Sequence, residues 1–135
     1  MITRPQIITE ARKFLGARWQ HQGRTPTAID CAGLIIKVAH NLGITDFDET
    51  NYARRPDSLR LMELLNQHAV KTKSQGQPGD ILLLSFQGAA QHLAIMTDIG
   101  MIHAYAAARK VVEHAVNEQW RSRIVDIYQY PGVKD

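Results

Sequence analysis

Cysteine is nearly missing from this chain, with Cys31 the single one among 135 residues. One cysteine cannot close an intrachain disulfide, so the fold is expected to form without an oxidising compartment. Long apolar runs are missing as well. No stretch suffices to span a bilayer, and Met1-Ile2-Thr3-Arg4-Pro5-Gln6 lacks the apolar core of a signal peptide. The expectation is synthesis and folding in the cytoplasm, no membrane insertion, and delivery by another agent if the protein acts outside. Charge is modest: 16 Lys and Arg against 13 Asp and Glu, a net +3. Bases come together only in short pairs, such as Arg54-Arg55 and Arg121/Arg123, so no basic stripe points to nucleic acid. Closely paired metal-ligand spacings are lacking, which speaks against a zinc site, and no cofactor is expected. The length suits one domain, 1–135, with one core and no room for a separate binding module.

The first half of the chain has helical periodicity. Thr3 and Pro5 read as a helix start, with Ile7, Ile8, Ala11, Phe14 and Leu15 on one face and Gly16 as the stop. Residues 17–26 mix Gly, Pro and polar side chains and read as a loop. Asp30 caps a second helix opened by Cys31, its apolar face made by Leu34, Ile35, Val38, Ala39 and Leu42 and its end marked by Gly43. A polar connector, 44–56, leads to a third helix capped by Asp57 or Ser58, with Leu59, Met62, Leu64 and Leu65 expected inward and an end near His68. Then the period shortens. Gln77-Pro78-Gly79-Asp80 is a turn, and strands are expected over 81–86, 92–97, 101–105, 110–114 and 124–130. Residues 87–90 read as a loop. Strands this close in sequence pair as hairpins, so the sheet is antiparallel. Helices first and strands second argue for an α+β fold with the helices on one side.

Cys31 carries the first chemical signal. At a helix start the unpaired N–H groups favour an anion, so a lowered thiol pKa and a reactive thiolate are expected there. Of the six histidines, His40 and His68 sit near helix ends and read as structural. His92 and His103 flank the short turn Asp98-Ile99-Gly100, so they lie on paired strands and can face each other. The trio Cys31, His92 and His103 therefore supplies a nucleophile, a base and an orienter that fixes the base's tautomer. Asp80 reads as a turn residue, Tyr105 as a candidate cleft wall, and Gln91 and His21 as rim residues within reach of a substrate.

These residues resemble those of the NlpC/P60 family of cysteine peptidases. The similarity runs through Leu15-Gly16-Ala17-Arg18-Trp19, Asp30-Cys31-Ala32-Gly33-Leu34, Gln77 to Leu82, His92-Leu93-Ala94-Ile95 and Ile102-His103-Ala104. It implies a papain-like fold, N-terminal helices packed on a mostly antiparallel sheet, with Cys31 as nucleophile, His92 as base and His103 as third member. It implies hydrolysis of peptidoglycan stem peptides, usually between γ-D-glutamate and a diamino acid. Asp30 would help hold a free substrate amine, and the Cys31 backbone N–H would serve the oxyanion. Trp19 stands where the family usually has tyrosine, and an indole N–H donates but cannot accept. Ala32 stands where serine often follows the cysteine. Trp19, Asp30, Ala32, Gln91 and Tyr105 are thus the expected substrate contacts. Residues 19–24, 103–105 and 120–131 are most similar to the short members carried by phages and gene-transfer-agent tails, which implies phage tail proteins as partners and action at a host wall. Two alternatives share these residues: a thiol amidase or acyltransferase, and a non-catalytic tail assembly subunit with Trp120, Arg121 and Arg123 as a contact surface.

Overall fold

The computed structural model describes residues 1–54, 57–73 and 75–134. The chain opens with β1 (Ile2–Thr3) and α1 (Arg4–Arg12). Thr3 and Gln6 form a reciprocal capping box, and Pro5 occupies the first turn, where its missing N–H costs nothing. Two expectations change here. The helix ends at Arg12, before Gly16, so Phe14 stays buried while Leu15 turns outward, 44% exposed. And the segment read as a loop holds β2 (Arg18–Trp19) and β3 (Arg24–Thr25), followed by β4 (Ala28–Ile29). Two-residue strands are too short for alternation to reveal them.

α2 (Cys31–Asn41) starts where Asp30 accepts from the Gly33 N–H at 2.8 Å. It ends in a Schellman turn, with Gly43 at φ 71°, Gly43 N–H to His40 O and Ile44 N–H to Ala39 O. The 44–56 connector runs into Arg55 and Pro56, which lie outside the described residues. α3 (Ser58–His68) is capped by Asp57. Its buried residues are Leu61 and Leu65, one turn apart, whereas Leu59 is 78% exposed. The inward placement expected for Leu59 is wrong because it sits two residues, about 200°, from Leu61 around the helix.

The second half gives β5 (Val70–Lys71), β6 (Ile81–Phe86), β7 (Ala89–Met96), β8 (Met101–Tyr105), β9 (Lys110–His114), α4 (Glu118–Arg121), β10 (Ile124–Gln129) and β11 (Val133–Lys134). The loop expected over 87–90 is a two-residue turn at Gln87-Gly88, and β7 already begins at Ala89. Among the described residues, nine strands form one sheet in the order β3-β4-β2-β9-β8-β7-β6-β10-β5; every pair is antiparallel except β2–β4. β1 and β11 pair separately in parallel. The fold is thus α+β, as expected, with β5 and the β2–β4 edge added to the hairpin sheet.

The sheet is buried on both faces at its centre. Ile81, Leu83, Leu93 and Ile95 pack with Ile7 of α1, Phe14 in the turn after it, and Leu34 and Val38 of α2. On the other face Leu82, Leu84, Ala94 and Met101 pack under Trp120, Ile124 and Ile127. Strand alternation places His92 and His103 on that second face, while Leu93 points toward α2. At the sheet's entry Asp80 is fully buried, paired with Arg4 at 2.7 Å and accepting from the Gln77 N–H, the role of a turn residue.

Candidate active site

The α2 helix follows directly on β4 and presents Cys31 half-buried at its first turn. The nearby backbone N–H groups of Leu93, Ala32 and Cys31 itself favour the thiolate. They do not prevail. Burial, and then the neighbouring Asp30 carboxylate, push the thiol pKa up to about 12. This overturns the expectation of a lowered pKa: a helix end is worth a fraction of a charge, and desolvation plus a full adjacent negative charge outweigh it.

Cys31 and His92 border the same cleft of about 400 Å³, with Trp19, Gln91 and Tyr105 around it. His92 is buried, and that burial lowers its pKa to about 3. Its Nε2 lies 2.6 Å from His103 Nδ1, so the two imidazoles meet across β7 and β8 as the hairpin register allows. His103 is fully buried, its pKa lowered to about 2 by desolvation and then by repulsion from His92 and His114. Both rings are therefore neutral near pH 7.

Asp30 is buried under this start of α2, and its carboxylate accepts four donors. Oδ1 takes the Gly33 N–H and Arg24 Nη1 at 2.8 and 3.2 Å; Oδ2 takes the Gln22 N–H and the Tyr52 hydroxyl at 2.7 and 2.6 Å. Ala32 does not border the Cys31 cleft. It lines a neighbouring apolar cavity of about 560 Å³ between α2 and α3, which Gln91 also borders. His21 lies against the Tyr52 ring edge, 5.7 Å between centroids, away from the cleft lining. His40 contacts the Phe47 carbonyl and His68 stacks on the Phe47 ring, both structural placements.

Several residues of the site escaped sequence reasoning. His114 meets His103 Nε2 at 2.8 Å through its own Nε2. Tyr52 and Arg24 reach Asp30 from the connector and from β3, where no period marks them. Phe86, Arg54 and Arg123 complete the cleft wall. Arg54 lies 5.5 Å over the Trp19 ring and Arg123 4.8 Å over Phe86, and neither pairs with a carboxylate among the described residues. His114 was findable, since 110–114 reads as the strand beside 101–105. The signal was a third histidine on one sheet face.

Among the described residues no group of three His, Cys, Asp or Glu side chains is placed to hold a metal ion. Both His103 nitrogens are already engaged with other imidazoles, and one His92 nitrogen is as well.

Residues 16–129 match the model of the NlpC/P60 family. The chain belongs to the NlpC/P60 family. Among solved structures it is similar to the NlpC/P60 domain of the peptidoglycan hydrolase SagA: 25% identity, TM-score 0.63, over 93% of this chain and 97% of that one. An NlpC/P60 protein of Bacillus cereus shares the fold at 22% identity and TM-score 0.70, over 94% of this chain and 40% of that one. So does the peptidoglycan hydrolase RipB of Mycobacterium tuberculosis, at 18% identity and TM-score 0.62, over 93% of this chain and 63% of that one. Comparison with curated proteins gives no match. The α+β architecture read from the sequence is that of these NlpC/P60 domains.

Proposed function

We propose that this NlpC/P60 domain is a cysteine endopeptidase that opens peptidoglycan stem peptides at the bond between γ-D-glutamate and a diamino acid. One observation carries the reading: Cys31 and His92 share a cleft, and His103 holds one nitrogen of His92, its Nε2. In the reaction Cys31 Sγ attacks the scissile carbonyl carbon while His92 takes the thiol proton. His92 passes that proton to the departing amine, leaving a thioester. Water, activated by the same imidazole, attacks the thioester carbon and regenerates the thiol. The Cys31 backbone N–H at the helix start is the donor facing the developing oxyanion. The cleft's chemistry supports an anionic, extended substrate. Trp19, Phe86 and Tyr105 wall it, and Arg54 and Arg123 bring cations that free stem-peptide carboxylates can neutralise. Asp30, with all four donors in place, acts in this reading through the shape of the helix start.

A second reading keeps the thioester but hands the acyl group to an amine or alcohol other than water. The apolar cavity beside the cleft, lined by Ile35, Ile36, Phe47, Leu61 and Leu64 and touching Gln91, is the observation in its favour. Delivery to the wall by a phage or phage-like tail is also a proposal. It is supported by the likeness of 19–24, 103–105 and 120–131 to tail-borne members.

The test is digestion of purified muropeptides by wild type beside Cys31→Ala, read by product mass. The proposal expects fragments split at the γ-glutamyl bond with wild type and none with the variant. Cleavage elsewhere overturns the substrate assignment, transfer products favour the second reading, and cleavage by Cys31→Ala overturns the nucleophile.

A further inference from the structure

The histidine pair does not end at His103. His103 Nε2 lies 2.8 Å from His114 Nε2, and His114 Nδ1 lies 2.8 Å from the Ala115 carbonyl oxygen. With His92 this makes a chain of three imidazoles anchored on a backbone oxygen. The anchor decides the direction of every bond, because a carbonyl oxygen only accepts and a neutral imidazole has one donor and one acceptor nitrogen. His114 Nδ1 must carry the proton, so its Nε2 is bare and accepts from His103 Nε2–H. His103 Nδ1 is then bare and accepts from His92 Nε2–H. The nitrogen left bare is His92 Nδ1, free to take the Cys31 thiol proton.

We propose that His114 is a positioning residue, which reads the proton arrangement from the Ala115 carbonyl and passes it through His103, so that His92 keeps its base nitrogen unprotonated. The inference rests on the assignment of Cys31 and His92 proposed above. Burial supports it, since His92 and His103 titrate far below neutrality and neither can relieve a wrong proton order by charging.

Among the described residues the carbonyl is the only anchor. None of the three imidazoles has a carboxylate partner among the described residues. His114 faces His103 on β8 and the Trp120 ring on α4, 5.0 Å between centroids in each case. The charge behind Trp120 is the Arg123 guanidinium, 4.7 Å over that ring. Glu113, the neighbour on β9, is bound to Arg12 at 2.8 Å. Trp120 also lies edge-on to His103 at 5.2 Å, covering the link between the two histidines. A doubly protonated His114 would offer only donors. His103 would then accept at Nε2 and donate from Nδ1, and His92 would carry its proton on Nδ1, the nitrogen that this reading assigns to the thiol proton. The chain has one productive order.

His114→Phe keeps a ring under Trp120 and removes the acceptor. A buried His103 N–H without an acceptor disfavours the productive order by about 10-fold or more, and kcat should fall by that factor with KM within about twofold. His114→Gln, whose amide oxygen can stand at the Nε2 position and accept, should restore most of the loss. The direct readout is the imidazole 15N spectrum of the labelled protein at pH 7.5, which separates Nδ1–H from Nε2–H tautomers. Wild type and His114→Gln should show Nε2–H on both His92 and His103, and His114→Phe should shift both toward Nδ1–H. Nδ1–H on His92 in wild type overturns the relay. So does an unchanged kcat in His114→Phe, or a Gln variant as impaired as Phe. If the tautomers behave as stated but muropeptides stay intact, the peptidase reading fails and the relay stands.

Discussion

The neutral imidazoles at the centre of the site predict an acid-labile fold with a calculable slope. An unfolded histidine titrates near 6.5, while burial holds His92 at about 3 and His103 at about 2. Because the folded values lie below the unfolded one, the unfolded chain takes up protons first as pH falls. The stability from keeping both rings neutral is complete above about pH 7 and declines as pH drops through 6.5 toward 3. At pH 5 the linkage relation gives about 2 kcal/mol per histidine, about 4 kcal/mol for the pair, against a total of about 5–15 kcal/mol for an ordinary domain. The exposures of 7% and 0% leave little solvent to soften this. Carboxylates held down by ion pairs, such as Glu113 and Asp98 beside Arg12, lose their contribution only below about pH 4 and stay out of the window. Urea melts at pH 7.5 and 5.0 measure the difference, with a His92→Gln/His103→Gln double variant as the control. The double variant starts from its own stability, so the quantity compared is the change between the two pH values. A change under about 1 kcal/mol in wild type, or an equal change in the double variant, would refute the reasoning.

Two further outcomes follow from the start of α2. Gly33→Ala would place a Cβ 2.3 Å from the Gly23 carbonyl oxygen and 2.8 Å from Arg24 Nη1. The loop carrying Arg24 must then move off Asp30, and thermal melts should show a loss of about 2 kcal/mol or more; an unchanged melting temperature would contradict the close approach. The raised thiol pKa, about 12, means that iodoacetamide should alkylate Cys31 in the resting protein more slowly than a free cysteine at pH 7.5, with a rate still rising above pH 9. A rate that levels off near neutrality would place a thiolate there instead.

What the sequence disclosed, and what it withheld, divides along the range of the forces involved. The Asp30 cap, the Gly43 stop and the β7–β8 hairpin that brings His92 to His103 are local, each set within about a dozen residues, and each was legible. Leu59 was misplaced because helix 58–68 has leucines around most of its circumference, and only the sheet beneath it selects Leu61 and Leu65. The β2–β4 edge holds two-residue strands whose partners are supplied by β9 and by each other. Tyr52, 22 residues from Asp30, reaches it through a connector with no periodicity to place it. The sulfur's electrostatics were misjudged for a related reason. The helix start is visible in the sequence, but the depth at which it is buried comes from the whole sheet.

That depth changes how the site can work. A thiol raised by burial and by Asp30, beside an imidazole lowered by burial, gives a resting pair of neutral groups. Among the described residues no carboxylate stands behind His92 to stabilise an imidazolium; a neutral histidine stands there, itself held by another. An ion pair formed before substrate binds would leave a buried cation with no counter-charge near its far nitrogen. The proton is therefore best moved, in the proposed reaction, when the sulfur is already bonding to carbon. In the proposed reaction the negative charge then passes away from Asp30 to the substrate oxygen, for which the Cys31 N–H is the proposed donor. An orienter without charge adds no electrostatic pull on the proton, so its contribution must come from geometry and tautomer alone. In the proposed relay the order of protons along His92, His103 and His114 carries the role that a carboxylate's charge fills in a triad ending on aspartate.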